Sequence, residues 1–242
     1  MRIAVISDIH ANLHALEAVL AAIDADAVDE LWCLGDVVGY GPRPNECVAL
    51  VRERATLCLV GNHDLAVLGT LALDQFMGEA GDAARWTQTV LEPEAREFLA
   101  GLEPTAQRHG AALVHGSPRD PIWEYVLSTR AAAAAFAATT EQLVLVGHSH
   151  VQLAISSDGD RLAGGPAQSG DEVELHPARQ LLNPGSVGQP RDGDARAAWL
   201  VIETAPGRAT FRRSDYPIER TQAEMREREL PELLAERLAH GL

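Results

Sequence analysis

The 242-residue chain contains no lysine: its 20 basic residues are all arginine, against 35 acidic residues, and the formal net charge is −15. A surface of this sign repels phosphate polymers, because nucleic-acid binding depends on many basic side chains that neutralise phosphates. We therefore expect no extended contact with DNA or RNA. This repulsion acts on polymers and does not exclude small anionic compounds.

Long apolar runs and paired cysteines are also lacking. No stretch approaches the about 18 apolar residues that a membrane span requires, and the chain opens directly on a strand pattern. Cys33 and Cys58 fall in predicted strands and Cys47 on a predicted helix, without metal or redox spacing. We expect free thiols, no membrane contact and a soluble cytoplasmic protein.

A composition that is 46% hydrophobic can bury one sizeable core, and no repeat or linker divides residues 1–242, so we expect a single domain. Five short runs are mostly aliphatic and lack polar alternation, which is typical of strands buried on both faces. They are Ile3 to Ile6, Leu31 to Leu34, Leu57 to Val60, Ala111 to Val114 and Leu143 to Val146.

Short polar clusters follow these runs. They are Asp8-Ile9-His10, Gly35-Asp36, Gly61-Asn62-His63-Asp64, His115-Gly116 and Gly147-His148-Ser149-His150. Functional turns of α/β sheets lie at the carboxyl ends of strands, so the clusters can converge. One such cluster alone would more often be a hydrogen-bonded strand end. Five together, combining oxygen and imidazole ligands without cysteine, predict a two-metal hydrolytic site for Mn, Fe, Zn, Ni or Co.

The ordered set of motifs resembles the calcineurin-like metallophosphoesterase superfamily, from Asp8 to His150 with secondary features to about Asn183. The resemblance implies an α/β fold, a four-layer α-β-β-α sandwich of two packed mixed β-sheets flanked by helices. It also implies a dinuclear enzyme that hydrolyses small phosphodiesters or phosphomonoesters, with a metal-bridging hydroxide as the nucleophile.

Carried over residue by residue, the resemblance implies two divalent ions, with Mn expected first and Fe, Ni, Co or Zn as alternatives. One ion is held by Asp8, His10, Asp36 and His150, and the other by Asp36, Asn62, His115 and His148. His63 is expected to assist the leaving group, and Asp64 to orient the His63 ring. Alternatively, Asp64 caps the helix that follows it.

A weaker set of residues is expected to contact substrate: Asn12, Tyr40, Arg43, Asn183, Gly185, Ser186 and Arg191. The loop from Asn183 to Gly188 resembles one that approaches the site in small bacterial members, and its glycines permit close contact with an anion. Arg191 either binds a substrate phosphate or pairs with Asp192 or Asp194 in its own turn. Asn12 is also a predicted helix N-cap.

The chain departs from the protein serine/threonine phosphatases of this superfamily. Those carry Gly-Asp-x-x-Asp-Arg-Gly and a glutamate after Asn-His, whereas here the first motif continues as Val37-Val38-Gly39-Tyr40-Gly41 and Asp64 follows His63. The small bacterial type remains, with phosphodiesters favoured over phosphomonoesters. A non-catalytic scaffold is the alternative from another functional class, but every expected ligand is present. Neither the physiological substrate nor the native metal follows from the sequence.

Three segments lie outside the motifs. The first is a mostly helical cap region, 65–109, which either closes over the site as a lid or packs against the sheet. The packing role is favoured because aromatic residues at helical spacing are usually buried in the core. Alternating runs after His150 predict a second, antiparallel-rich sheet. A C-terminal helix, 217–242, has one apolar side that either packs on the body or joins two subunits of a homo-oligomer.

Overall fold

The computed structural model describes residues 1–76, 78–159 and 161–242. Strands of the described residues are β1 (Arg2–Ile6), β2 (Glu30–Cys33), β3 (Leu57–Cys58), β4 (Thr105–Arg108), β5 (Ala111–Val114), β6 (Leu143–Leu145), β7 (Gln152–Ser157), β8 (Leu162–Pro166), β9 (Glu172–Glu174), β10 (Arg179–Pro184), β11 (Ala197–Glu203) and β12 (Arg208–Ser214). Helices are α1 (Leu13–Ala25), α2 (Pro44–Arg54), α3 (Asn62–Leu68), α4 (Glu79–Val90), α5 (Pro93–Ala100), α6 (Thr129–Ala137), α7 (Ile218–Glu227) and α8 (Glu232–Leu238), with a 3-10 turn at Leu73–Gln75. None of these helices is long and apolar enough to cross a bilayer.

Two six-stranded sheets pack face to face and are flanked by helices. Their strand orders are β3-β2-β1-β11-β12-β9 and β4-β5-β6-β10-β7-β8. Because side chains alternate along a strand, β1 buries Ile3 and Val5 between the sheets and turns Ala4 and Ile6 toward the helices. Phe136 of α6 closes the outer face of the second sheet. The expected four-layer α-β-β-α sandwich is confirmed.

The sheets do not correspond to the two halves of the chain, which corrects the expectation of a separate sheet after His150. Strand β11 pairs antiparallel with β1, and β12 and β9 extend the first sheet from there. Strand β10 pairs parallel with β6 and antiparallel with β7. Without these additions, β1 and β6 would be edge strands with unpaired backbone groups. The late strands therefore complete both sheets.

The C-terminal segment forms two helices, so the prediction of one helix over 217–242 was wrong. Pro231 lacks an N–H, and in a continuous helix its ring would clash with the carbonyl of Glu227, where α7 ends. Glu229 then takes a left-handed φ of 55° and the chain reverses into α8. Met225 and Leu238 join an apolar cluster with Tyr40, so the segment packs on its own chain.

The region 65–109 is helical only in part, because it ends in strand β4 after α4 and α5. Leu91 and Leu99 pack in the core that covers the first sheet, as expected for a packing role. Phe76, in contrast, contacts the ring of His63, with the centroids 4.9 Å apart. Residue 77 of this region lies outside the described residues, and the lid role remains a prediction.

Candidate metal centre

The polar turns after β1, β2, β5 and β6 meet at one end of the sandwich. Their backbones are hydrogen-bonded to one another: Asp8 N donates to Gly35 O at 3.0 Å, and Gly147 N donates to His115 O at 2.8 Å. The structure thus brings together all the predicted ligands, each at most 4% exposed. They are Asp8, His10, Asp36, Asn62, His115, His148 and His150.

Backbone strain is concentrated in these turns. Asp8, His10, Asp36, His148 and His150 all have φ between 49° and 63°, in the left-handed region that residues other than glycine seldom adopt. Such conformations cost free energy and persist where the surroundings impose them, most often at functional sites. They direct consecutive side chains of short turns toward a common point.

Two glycines allow the turns to approach this closely. A Cβ on Gly61 would overlap Asp36 Oδ1, and a Cβ on Gly147 would overlap Ser7 Oγ and lie 3.0 Å from Asp8 Oδ2. A side chain on Gly61 would therefore displace Asp36, and one on Gly147 would displace Ser7 and crowd Asp8. The glycines of the motifs therefore maintain the spacing of the carboxylates.

Backbone carbonyls determine which ring nitrogens carry protons. Nδ1 faces a carbonyl oxygen in three rings: His10 to Val38 O at 3.2 Å, His115 to Leu34 O at 3.0 Å, and His150 to Gln189 O at 2.6 Å. A carbonyl oxygen only accepts, so each Nδ1 donates a proton to it. In a neutral ring, Nε2 is then a bare lone pair, the form that binds a metal.

The lone pairs face other acceptors. His10 Nε2 lies 3.0 Å from His150 Nε2, and both are 3.3–3.8 Å from Asp8 Oδ1. His115 Nε2 lies 3.1 Å from Asn62 Oδ1 and 3.3 Å from Asp36 Oδ2. Acceptors held this close repel one another unless a proton or a metal cation lies between them.

Among the candidate ligands, three buried atoms have no normal hydrogen bond to the described residues: Asp8 Oδ1, Asp36 Oδ2 and His148 Nε2. Such orphaned acceptors are rare in folded proteins and require an explanation. Two sets of three side chains place their ligand atoms within 4.8 Å of one another, and a further set, His10, Asp36 and His63, overlaps with both. The two sets are Asp8, His10 and His150, and Asp36, His115 and His148. The donor chemistry fits divalent cations.

Charge is divided unevenly over the histidines. Burial lowers the pKa of His148 to about 3, and it also lowers the pKa of His10 and of His150, so these rings are neutral at neutral pH. Burial would lower the pKa of His115 as well, but the Asp36 carboxylate outweighs it and raises that pKa to about 10. In the absence of a cation, His115 and Asp36 therefore form a buried ion pair.

His63 and Asp64 sit at the start of α3. The His63 ring lies 4.4 Å from the Tyr40 ring and 4.9 Å from the His10 ring, and burial lowers its pKa to about 4. Asp64 accepts hydrogen bonds from Gly61 N and Val38 N, both at 3.0 Å, so both its oxygens are occupied by backbone groups. His63 Nδ1 has no partner among the described residues. The capping interpretation of Asp64 is confirmed, because it accepts from the backbone of Gly61. Neither of these two hydrogen bonds goes to the His63 ring, and the orienting role of Asp64 stays a prediction.

The loop after β10 braces the ligand turns. Asn183 Nδ2 donates to Gly147 O at 2.7 Å and to Ser149 Oγ at 3.0 Å, and its Oδ1 accepts from Gly185 N. Ser186 Oγ donates to Asp8 O at 2.7 Å. Asn183 and Ser186 are fully buried. These predicted substrate contacts use their polar groups to support the ligand turns.

Asn12 and Arg43 are likewise engaged within the chain. Asn12 Oδ1 caps α1 by accepting from Ala15 N, as predicted, and also accepts from Thr221 Oγ1 at 3.0 Å. Arg43 donates from Nε and Nη2 to Glu224 at 2.7 and 3.0 Å. Both contacts tie α7 to the turns beside the site.

Arg191 remains directed toward the site. It donates to Gln189 Oε1 at 2.8 Å and lies 3.3 Å from Tyr40 Oη, while its Nε is buried without a partner among the described residues. Asp192 pairs with Arg213, and Asp194 pairs with Arg196. The alternative interpretation, a turn arginine paired with Asp192 or Asp194, was wrong.

Two aromatic residues beside the site, Trp123 and Tyr125, were not among the predicted site residues. The Tyr125 ring is stacked on His148, with centroids 4.0 Å apart and planes 5° apart, and Trp123 contacts Phe76 at 5.4 Å. The one signal available was the position of Trp123 and Tyr125 in the loop that follows His115.

Comparisons with known proteins agree with this geometry. A structure of a metallophosphoesterase from Sphaerobacter thermophilus has 47% identity and a TM-score of 0.91, covering 100% of this chain and 99% of that one. An uncharacterized protein of Methanocaldococcus jannaschii is 38% identical over 99% of this chain and 98% of its own length. A symmetrical bis(5'-nucleosyl)-tetraphosphatase of Aliivibrio salmonicida is 27% identical over 52% of this chain, and the match spans 48% of that enzyme.

The family model for the calcineurin-like phosphoesterase superfamily domain matches residues 1–205. This match covers both sheets of the sandwich except β12, and it includes each turn that carries a candidate ligand. The chain belongs to the calcineurin-like phosphoesterase superfamily.

Proposed function

We propose that the protein is a dinuclear metal-dependent phosphoesterase that hydrolyses small phosphodiesters, with phosphomonoesters as the less favoured substrates. The observation that carries the proposal is the convergence of buried carboxylate and imidazole ligand atoms within 4.8 Å of one another, three of which have no normal hydrogen bond to the described residues. The proposed ligands of one ion are Asp8, His10, Asp36 and His150, and those of the other are Asp36, Asn62, His115 and His148. Mn is the proposed metal, with Fe, Ni, Co and Zn as alternatives.

Two such ions would supply a nucleophilic water at neutral pH and would neutralise charge on the phosphoryl oxygens. The side chain that joins the two ligand sets is Asp36, whose Oδ2 lies 3.3 Å from His115 Nε2 and 3.7 Å from His10 Nε2. Its Oδ1 accepts from His63 N at 2.8 Å, which fixes the carboxylate plane. This brace suits a carboxylate that bridges two cations.

His63 is the proposed donor to the leaving oxygen. With a pKa of about 4 it is neutral at neutral pH, so it would act as a neutral N–H donor that stabilises the departing oxygen. Arg191 is the proposed contact for a non-bridging phosphoryl oxygen. Gln189 and Tyr40 already hold its guanidinium beside the site.

Two further observations support a small substrate in a reducing compartment. The name of the matched tetraphosphatases describes a small phosphate compound that carries nucleosides, and not a phosphorylated protein. Cys33, Cys47 and Cys58 are free thiols, which favours a cytoplasmic location.

The test is hydrolysis by metal-stripped protein to which Mn, Ni, Co, Zn or Mg is added singly. Bis-p-nitrophenyl phosphate and p-nitrophenyl phosphate are compared side by side, and Mn-dependent turnover of the diester is expected. Asp36→Asn and His148→Ala should each lower kcat/KM by several orders of magnitude. His109→Ala is the matched control, because this histidine is exposed and pairs with Glu30. Full activity in Asp36→Asn would contradict the proposal.

A further inference from the structure

Tyr125 is an exposed aromatic side chain beside the candidate metal centre. One face of its ring lies on the His148 imidazole at 4.0 Å, yet the residue is 47% exposed. The imidazole covers one face of the tyrosine ring, and the opposite face, here called the free face, has no ring of the described residues stacked on it. Among the described residues, no other aromatic side chain is exposed to this degree. Ligand sites are lined mainly by hydrophobic and aromatic side chains, so an exposed tyrosine next to the candidate centre is suited to contact a ligand.

The loop that carries Tyr125 is held in place by its own hydrogen bonds. Gly116 N donates to Pro121 O at 2.7 Å, Ser117 N donates to Asp120 O at 2.9 Å, and Asp120 Oδ1 accepts from Trp123 N at 3.1 Å. Trp123 then packs on Phe76, which contacts the His63 ring. The Tyr125 ring is thus presented by a braced loop, and a rigid aromatic surface loses little entropy on binding.

We infer that Tyr125 is a specificity-determining residue that stacks on a planar aromatic group of the substrate. The inference rests on the proposed function, because it places the phosphate at the metal centre beside His148. A ring stacked on the free face of Tyr125 would lie about 4 Å beyond the tyrosine. It would therefore be about 8 Å from the His148 ring, given the 4.0 Å that separates the two protein rings.

This spacing defines the class of substrate. In an aryl ester a single oxygen joins the ring to the phosphorus, so its ring has a shorter reach toward the free face of Tyr125 than a ring on a longer spacer. A ring carried on a spacer as long as a pentose can reach that face. The geometry thus favours phosphate esters in which a sugar-sized spacer joins the phosphate to a planar base.

The experiment is calorimetric binding of adenosine 5'-phosphate and of ribose 5-phosphate to the Mn-loaded, full-length protein. The two probes share the phosphate and the sugar and differ in the base. Wild-type protein should bind the base-containing probe roughly 5- to 100-fold more tightly, the range expected for one stacked base. Tyr125→Phe should keep this ratio, and Tyr125→Leu should reduce it toward one.

Leucine still covers His148 with apolar surface, so Tyr125→Leu should leave the affinity for ribose 5-phosphate unchanged. The matched control is Leu127→Ala, which removes a 56% exposed side chain from the same loop and should not alter the ratio. If Tyr125→Leu weakened the binding of both probes equally, the tyrosine would only cover the imidazole, and the inference would be overturned. A ratio of one, or no binding of adenosine 5'-phosphate, in wild-type protein would overturn it as well.

Hydrolysis of bis-p-nitrophenyl phosphate by the same samples separates the two proposals. Hydrolysis without a preference for the base would overturn the role of Tyr125 and leave the proposed function intact. A preference for the base without hydrolysis of any ester would support stacking and count against the proposed catalytic activity.

Discussion

Cation binding at this site should release a proton from His115. Its Nδ1 faces Leu34 O, and its Nε2 lies 3.3 Å from Asp36 Oδ2, which raises the pKa of the ring to about 10 against the effect of burial. Nε2 therefore carries a proton in the metal-free protein at neutral pH. A cation needs that nitrogen as a lone pair, so the two compete.

The magnitude follows from the pKa. Below about pH 9 nearly every metal-free molecule carries this proton, so the apparent association constant should rise about tenfold per pH unit from neutral pH upward. The rise should level off near the pKa of about 10. For the metal-free fold the sign is the reverse: the raised pKa stabilises the fold fully below the ordinary value of 6.5, and this contribution is lost as the pH rises through about 10.

Calorimetric titration of metal-stripped protein with Mn, in two buffers of different ionisation enthalpy, measures the released protons. About one proton per protein is expected from His115, and the pH dependence of the affinity gives a second estimate. His115→Asn keeps an oxygen ligand and should release about one proton fewer. Affinity that is independent of pH, with no buffer dependence of the heat, would refute a protonated His115.

Three further predictions concern the same turns. Gly61→Ala should weaken Mn binding at least tenfold in the same titration, because the added Cβ overlaps Asp36 Oδ1. Gly165→Ala is the control and should leave Mn binding unchanged, because no atom lies within 4 Å of its added Cβ. His63→Ala should lower kcat by roughly 10²–10⁴ in diester hydrolysis, and equal activity in the variant would remove His63 from the mechanism. The Tm of the metal-free protein should fall between about pH 6.5 and pH 4, because His63 and His148 stay neutral in the fold while the unfolded chain binds protons. A Tm that is constant over that window would contradict the depressed pKa values.

The features that could be predicted from sequence are local ones. Apolar runs followed by polar turns mark buried strands and their carboxyl ends, so β1 and its Asp8 and His10 could be placed without a structure. The capping role of Asn12 has a similarly local cause, a side-chain oxygen next to the first turn of α1.

What could not be predicted depends on long-range pairing or on backbone atoms. Strand β4, with its exposed Thr105 and Gln107, has no apolar signature and becomes a strand because β5 pairs with it. The division of the late strands between two sheets is a matter of tertiary register. The carbonyls of Val38 and Gln189, which fix the imidazole tautomers, have no side-chain signature at all.

The family match covers the candidate metal ligands but not all of the residues that support the proposed substrate contacts. The family match ends at residue 205, yet α7 and α8 lie beyond it and contact the turns around the site. Thr221 bonds to Asn12, Glu224 pairs with Arg43, and Leu238 joins the apolar cluster of Tyr40. Arg191 is in turn held by Tyr40. The packing of Tyr40, which holds Arg191, therefore depends on a segment outside the family match. Superfamily members that share the ligands can thus differ in the esters they accept.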